Sequence, residues 1–146
     1  MKGDRIRYCA GYKYQLCDDY SNINGSPLQT TITGYDIHTA FITLTPDGLL
    51  DIKDYYAWDG CSGPTHDDNT NMRGGLIHDA LYQLMREGHL PICYKDIADK
   101  LLRDICIEDG MSEFRAWYYY KGVDLFGWGA CKLGANPYPI LTAPKS

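Results

Sequence analysis

At 146 residues with 45% hydrophobic side chains, the chain has the size of one compact domain and can bury about two-thirds of its unfolded surface. No window reaches the roughly 18 uninterrupted apolar residues of a membrane-spanning helix, and Met1-Lys2-Gly3-Asp4-Arg5-Ile6-Arg7 lacks the apolar run of a secretory signal. The expectation is a soluble, cytoplasmic protein. Fourteen Lys and Arg against nineteen Asp and Glu give a net charge of -5, with the basic residues scattered, which argues against nucleic-acid binding through phosphate contacts.

From residue 5 to 58 the pattern is strand-like. β-Branched and aromatic residues alternate with polar ones in Tyr12-Lys13-Tyr14-Gln15-Leu16 and Phe41-Ile42-Thr43-Leu44. Thr45-Pro46-Asp47-Gly48 has Pro and Gly where a tight reversal needs them, so 41–44 and 49–52 are expected to form a hairpin. Asn22-Ile23-Asn24-Gly25-Ser26-Pro27 reads as a loop. Residues 59–71 combine turn formers with carboxylates and read as a shaped loop.

Met72, Leu76, Ile77, Ala80, Leu81, Leu84 and Met85 then paint one apolar stripe on a helix ending near Gly88. Ile97, Ala98, Leu101, Leu102 and Ile105 predict a second helix from about 94 to 108, an antiparallel neighbour closed by Asp109-Gly110. A third begins with Ser112 as N-cap, carries Phe114, Trp117, Tyr118 and Leu125 on one side, and ends near Gly127. Residues 129–146 read as an extended tail. This order predicts an α+β fold, a single domain over 1–146 with N-terminal antiparallel hairpins and then about three helices between 72 and 128. The six cysteines contain no Cys-x-x-Cys pair; reduced thiols are expected, with a disulfide framework as the alternative.

On the first helix His78 and Tyr82 are neighbours at i and i+4, with Asp79 beside them, all off the centre of the apolar stripe. Asp99 occupies the same offset on the second helix as His78 on the first, so antiparallel packing can bring carboxylate to imidazole. A histidine oriented by a carboxylate is the usual plan for a general base near neutral pH. His78, Asp99 and Tyr82 are therefore the candidate catalytic residues. Asp79 is the candidate ligand of a hard cation, Ca2+ or Mg2+, with oxygens from the Gly-rich loop. Arg73, His66 and Asp67 are candidate supporting residues. The alternative is a polar cluster that ties the helix together, with Asp79 anchoring Arg73 or Arg86 and Asp67-Asp68 facing the helix dipole. Arg73-Gly74-Gly75 offers only a weak anion-binding pattern. Trp117-Tyr118-Tyr119-Tyr120 reads as packing or as a carbohydrate or peptide contact surface.

Trp58-Asp59-Gly60-x-Ser62-Gly63-Pro64-Thr65, Arg73, His78-Asp79-Ala80-Leu81-Tyr82 and Ala98-Asp99 resemble an uncharacterised family of small phage and prophage proteins, over nearly the whole chain. This resemblance implies a phage-derived protein in the bacterial host cell or the virion, and it assigns no activity. A more distant similarity is to the compact microbial phospholipase A2 enzymes, through Asp59-Gly60-Cys61-Ser62 and His78-Asp79-Ala80-Leu81-Tyr82. It implies His78 as the base that activates water. Asp79 with Asp59, Gly60, Ser62 and Gly63 would hold calcium, and Asp99 with Tyr82 would orient His78. Unlike those enzymes, the chain has a β-rich front half and lacks their cysteine framework.

Three functions follow as expectations. The first is a metal-assisted hydrolase acting on an ester or lipid. The second is a non-catalytic phage accessory, assembly or host-interaction protein with a phage or host protein as partner. The third is a phosphohydrolase using His66, His78, Asp79 and Asp99 around a transition metal.

Overall fold

The computed structural model describes residues 6–9, 14–15, 20, 27–54, 56–58, 69–132 and 140–143. The architecture is α+β, with an antiparallel four-stranded sheet in the N-terminal part followed by three helices of 14 or 15 residues. Two short antiparallel pairs are separate from the sheet in their hydrogen bonding. Strand β1 (Ile6–Cys9) pairs with β8 (Ile140–Ala143), and β2 (Tyr14–Gln15) with β7 (Ala57–Trp58).

The sheet contains β3 (Leu28–Gln29), β4 (Ile37–His38), β5 (Ile42–Leu44) and β6 (Leu49–Ile52), in the order β3-β6-β5-β4. The β5–β6 hairpin is the expected one. Gly48 N–H donates to the Thr45 carbonyl at 2.9 Å, and Thr45 N–H to Leu49 at 3.0 Å. Gly48 has φ +87°, a left-handed conformation that costs glycine little. Pairing of Ile42 with Ile52 and Leu44 with Leu50 places all four side chains on one face, because the side-chain period of a strand is two. That face is fully buried.

It packs on helix α1 (Met72–Arg86), where Leu76, Ile77, Ala80, Leu81, Leu84 and Met85 join the same core. After α1, Gly88 at φ +84° turns the chain, and His89 and Leu90 N–H groups return to the Leu84 carbonyl, a helix end of the glycine-terminated type. A 3-10 turn over Ile92–Tyr94 leads into α2 (Lys95–Glu108). Gly74 lets α1 and α2 approach closely, since a Cβ there would lie 2.9 Å from Cys106 Sγ and 3.1 Å from Leu102 Cδ1. Gly74 of the Arg73-Gly74-Gly75 pattern is thus accounted for by helix packing.

Helix α3 (Glu113–Phe126) starts where Ser112 was expected to cap it, with Ser112 Oγ accepting from Arg115 N–H at 3.3 Å. Ala116, Tyr119 and Val123 pack with Leu102 and Cys106 of α2. The other side, with Phe114 77% exposed and Leu125 67%, and with Trp117 and Tyr118 half-exposed, faces solvent. The region expected to be an extended tail differs in two places. Trp128–Cys131 forms a short helix, α4, and 140–143 is the strand that pairs with β1. Among the described residues no helix is long and apolar enough to cross a membrane, and Cys93 and Cys131 are free thiols.

Candidate active site

The antiparallel packing of α1 on α2 brings His78, Tyr82 and Asp99 together. His78 Nε2 lies 2.8 Å from Asp99 Oδ1, and Tyr82 donates its hydroxyl to the same oxygen at 2.6 Å. The His78 and Tyr82 rings, one helical turn apart, have centroids 4.0 Å apart and are tilted by 44°. His78 is 4% exposed and Asp99 0%.

Sequence reasoning missed the fourth member, Lys95. It is 2% exposed, and its ammonium donates to Asp99 Oδ2 at 2.7 Å and to the Val123 and Asp124 carbonyls at 3.0 and 3.1 Å. It also lies 4.7 Å from the centroid of the Trp128 ring, a cation–π contact. A buried lysine requires a counter-charge, and the signal was available. Lys95 stands at i and i+4 with Asp99, and at the same spacing as Ala98 and Leu102 on the buried face of α2.

Burial raises the pKa of Asp99, but the bonds from His78, Lys95 and Tyr82 outweigh it and hold the carboxyl below its ordinary value. Asp99 is therefore a carboxylate, and a carboxylate only accepts. The His78 nitrogen that meets it is then Nε2–H, and in the neutral ring the lone pair falls on Nδ1. Tyr82 is shifted strongly upward by burial and by the Asp99 carboxylate, so it serves as a hydrogen-bond donor. Gly127, the C-cap of α3, makes room for it, because a Cβ at 127 would overlap the Tyr82 hydroxyl.

Asp79 is half-buried beside His78 and is engaged in an interaction of its own. The remaining expected cation ligands, Asp59, Gly60, Ser62 and Gly63, lie outside the described residues, as do His66 and Asp67. Among the described residues no group of three His, Cys, Asp or Glu is arranged to hold a metal ion. Asp99 accepts from His78 and Tyr82 on one oxygen and from the Lys95 ammonium, at 2.7 Å, on the other. Asp79 has the donor chemistry that a hard cation takes.

Arg73 is not brought to His78. Its guanidinium binds Asp109 at 2.9–3.3 Å, Glu108 at 3.0 Å and the Tyr20 hydroxyl at 3.1 Å, tying the start of α1 to the end of α2. Asn71, before α1, donates to the Tyr119 hydroxyl at 3.2 Å, and Arg115 donates to the same oxygen at 2.9 Å. A surface cavity of about 470 Å³ opens between Tyr35, Met85, Leu90 and Ile92, and none of the four network residues lines it. No family model matches the chain, and neither a curated protein nor a solved structure matches it.

Proposed function

We propose that the protein is a His–Asp hydrolase acting on an ester, with a lipid ester as the first class to test. The observation that carries this reading is the convergence on one buried carboxylate. Asp99 binds His78 Nε2 at 2.8 Å and Tyr82 at 2.6 Å, which fixes the ring and leaves Nδ1 as the basic nitrogen. In this role His78 Nδ1 takes a proton from water as the water attacks the ester carbonyl, Asp99 stabilises the imidazolium that forms, and the imidazolium returns the proton to the departing alkoxide as the ester C–O bond breaks, leaving a carboxylic acid and an alcohol. Tyr82 donates to the same carboxylate oxygen that His78 meets. A Ca2+ or Mg2+ ion, held by Asp79 with oxygens from 59–63, would supply charge stabilisation at the ester oxygen. The resemblance to phage and prophage proteins supports a bacterial host cell or a virion as the setting.

A second reading is favoured by burial. Four polar side chains that satisfy one another at 0–4% exposure also suit a network that only specifies how the helices pack. In that case the protein is a phage accessory, assembly or host-interaction protein. The readings separate with His78→Ala and Asp99→Asn in assays of phosphatidylglycerol vesicles and p-nitrophenyl butyrate, with added calcium or with chelator. Hydrolysis by the native protein that both variants lose supports the hydrolase. No hydrolysis by the native protein, with a lowered melting temperature in both variants, supports the structural network.

A further inference from the structure

We infer that Lys95 is a positioning residue that holds Asp99 in the one orientation presenting Oδ1 to His78 Nε2, an inference that rests on the hydrolase reading. All three ammonium hydrogens have acceptors: Asp99 Oδ2 at 2.7 Å and the Val123 and Asp124 carbonyls at 3.0 and 3.1 Å. The two carbonyls belong to the last turn of α3, at the negative end of the helix dipole, where Val123 also accepts from Gly127 N–H at 2.8 Å. They are backbone atoms of a packed helix, so they anchor the ammonium at a point set by the fold. The Trp128 ring covers it from another side.

One carboxylate oxygen is thus pinned from α3. Because the carboxylate is planar, pinning Oδ2 sets where Oδ1 lies. At that position Oδ1 receives both Tyr82 and His78. Without Lys95, the carboxylate can rotate about its Cβ–Cγ bond, a broad torsion, and Oδ1 is no longer reserved for the imidazole. Lys95 touches neither the proposed water nor the substrate, so its action passes entirely through Asp99.

A lysine that merely ties α2 to α3 leaves unchanged which His78 nitrogen bears the proton. The test is the ring-nitrogen spectrum of His78 in full-length protein labelled with 15N-histidine, recorded at about pH 9, above the ordinary histidine range. The native protein is expected to show one tautomer with Nε2 protonated. Lys95→Arg keeps a cation that can bind a carboxylate and should retain that pattern, whereas Lys95→Met should show averaged shifts from two exchanging tautomers. Should Lys95→Met fail to fold, Lys95→Gln, which retains a polar donor without the charge, takes its place with the same expectation. On p-nitrophenyl butyrate the neutral variant should lose kcat by about tenfold or more with KM within about twofold, and Lys95→Arg should recover most of it. A folded neutral variant that keeps the single Nε2–H tautomer overturns the inference. If the native protein hydrolyses no ester, the hydrolase reading fails by itself, and the spectrum still decides whether Lys95 orients the pair.

Discussion

Asp99→Asn removes a charge and keeps the side chain's shape. The native carboxylate is fully buried and accepts from His78 and Tyr82 on one oxygen and from Lys95 on the other. An amide has one oxygen and one NH2. Whichever way it turns, the NH2 faces either the Lys95 ammonium or the donors from α1. The buried ammonium keeps its two α3 carbonyls and the Trp128 ring but loses its counter-charge. Removing one partner of a buried ion pair costs about 3–5 kcal/mol, and the remaining carbonyls place the expected loss near the lower end, about 3 kcal/mol. At about 2–4 °C per kcal/mol for a chain of this size, the melting temperature should fall by roughly 6–12 °C. The pH dependence has a defined sign. Burial raises the Asp99 pKa, and the three hydrogen bonds more than reverse that, so the folded value lies below the unfolded one. The carboxylate therefore contributes stability above about pH 4, the unfolded aspartate value, and loses it as pH falls through the folded value. Urea unfolding followed by fluorescence of the three tryptophans should show a gap between native and variant at pH 7 that narrows as pH falls below the unfolded aspartate value. A variant within about 1 kcal/mol of native at pH 7, or a gap that does not narrow in acid, refutes the reasoning.

Tyr82→Phe removes one hydrogen bond to a charged group while His78 and Lys95 remain, so it should lose about 1.5–3 kcal/mol in the same unfolding assay and less than Asp99→Asn. Gly74→Ala gains helix propensity of about 1 kcal/mol, yet its Cβ meets Cys106 Sγ at 2.9 Å. A net destabilisation of about 1 kcal/mol or more in thermal unfolding is expected, and a stabilised variant would show that α1 and α2 have room to spare. Ser112→Ala should lose about 1 kcal/mol with the N-cap bond to Arg115, measured by thermal unfolding against Ser112→Asp, which keeps a capping oxygen.

The part of the site that could be read from the sequence is the part set by helical phase. His78 and Tyr82 lie one turn apart, and the stripes of α1 and α2 each have a clear apolar side, so the offset of Asp99 placed it opposite His78. Lys95 escaped because a lysine in the first turn of a helix ordinarily points to water. Its burial depends on α3 carbonyls almost thirty residues later in the chain. Helix α3 is ambiguous by composition. Both Ala116-Tyr119-Val123 and Phe114-Trp117-Tyr118-Leu125 are apolar faces at helical spacing, so periodicity shows two stripes without choosing between them. Ala116, Tyr119 and Val123 pack with residues of α2, and the bulkier face is left outside. The β1–β8 pair joins the two ends of the described chain, and no local pattern reports a partner more than a hundred residues away.

A buried polar network is weak evidence of stability, because apolar side chains of similar volume often serve the fold as well or better. Stability alone is thus a poor account of the His78, Tyr82, Lys95 and Asp99 cluster, and the two accounts to separate are a chemical role and a role in selecting one packing of α1, α2 and α3. Replacing all four together separates these in a way that single changes cannot, since each single change leaves a partner buried and unmatched. In His78→Leu/Tyr82→Phe/Lys95→Met/Asp99→Leu no charge remains buried at the cluster. Its unfolding free energy should lie within about 2 kcal/mol of native, or above it. If that protein folds with the native near-ultraviolet circular dichroism and has lost ester hydrolysis, the network was not needed for the packing and its polarity belongs to chemistry. If it collapses to a state that keeps its helical signal but loses fixed side-chain order, the four residues select the packing, and the hydrolase reading loses the observation that carries it.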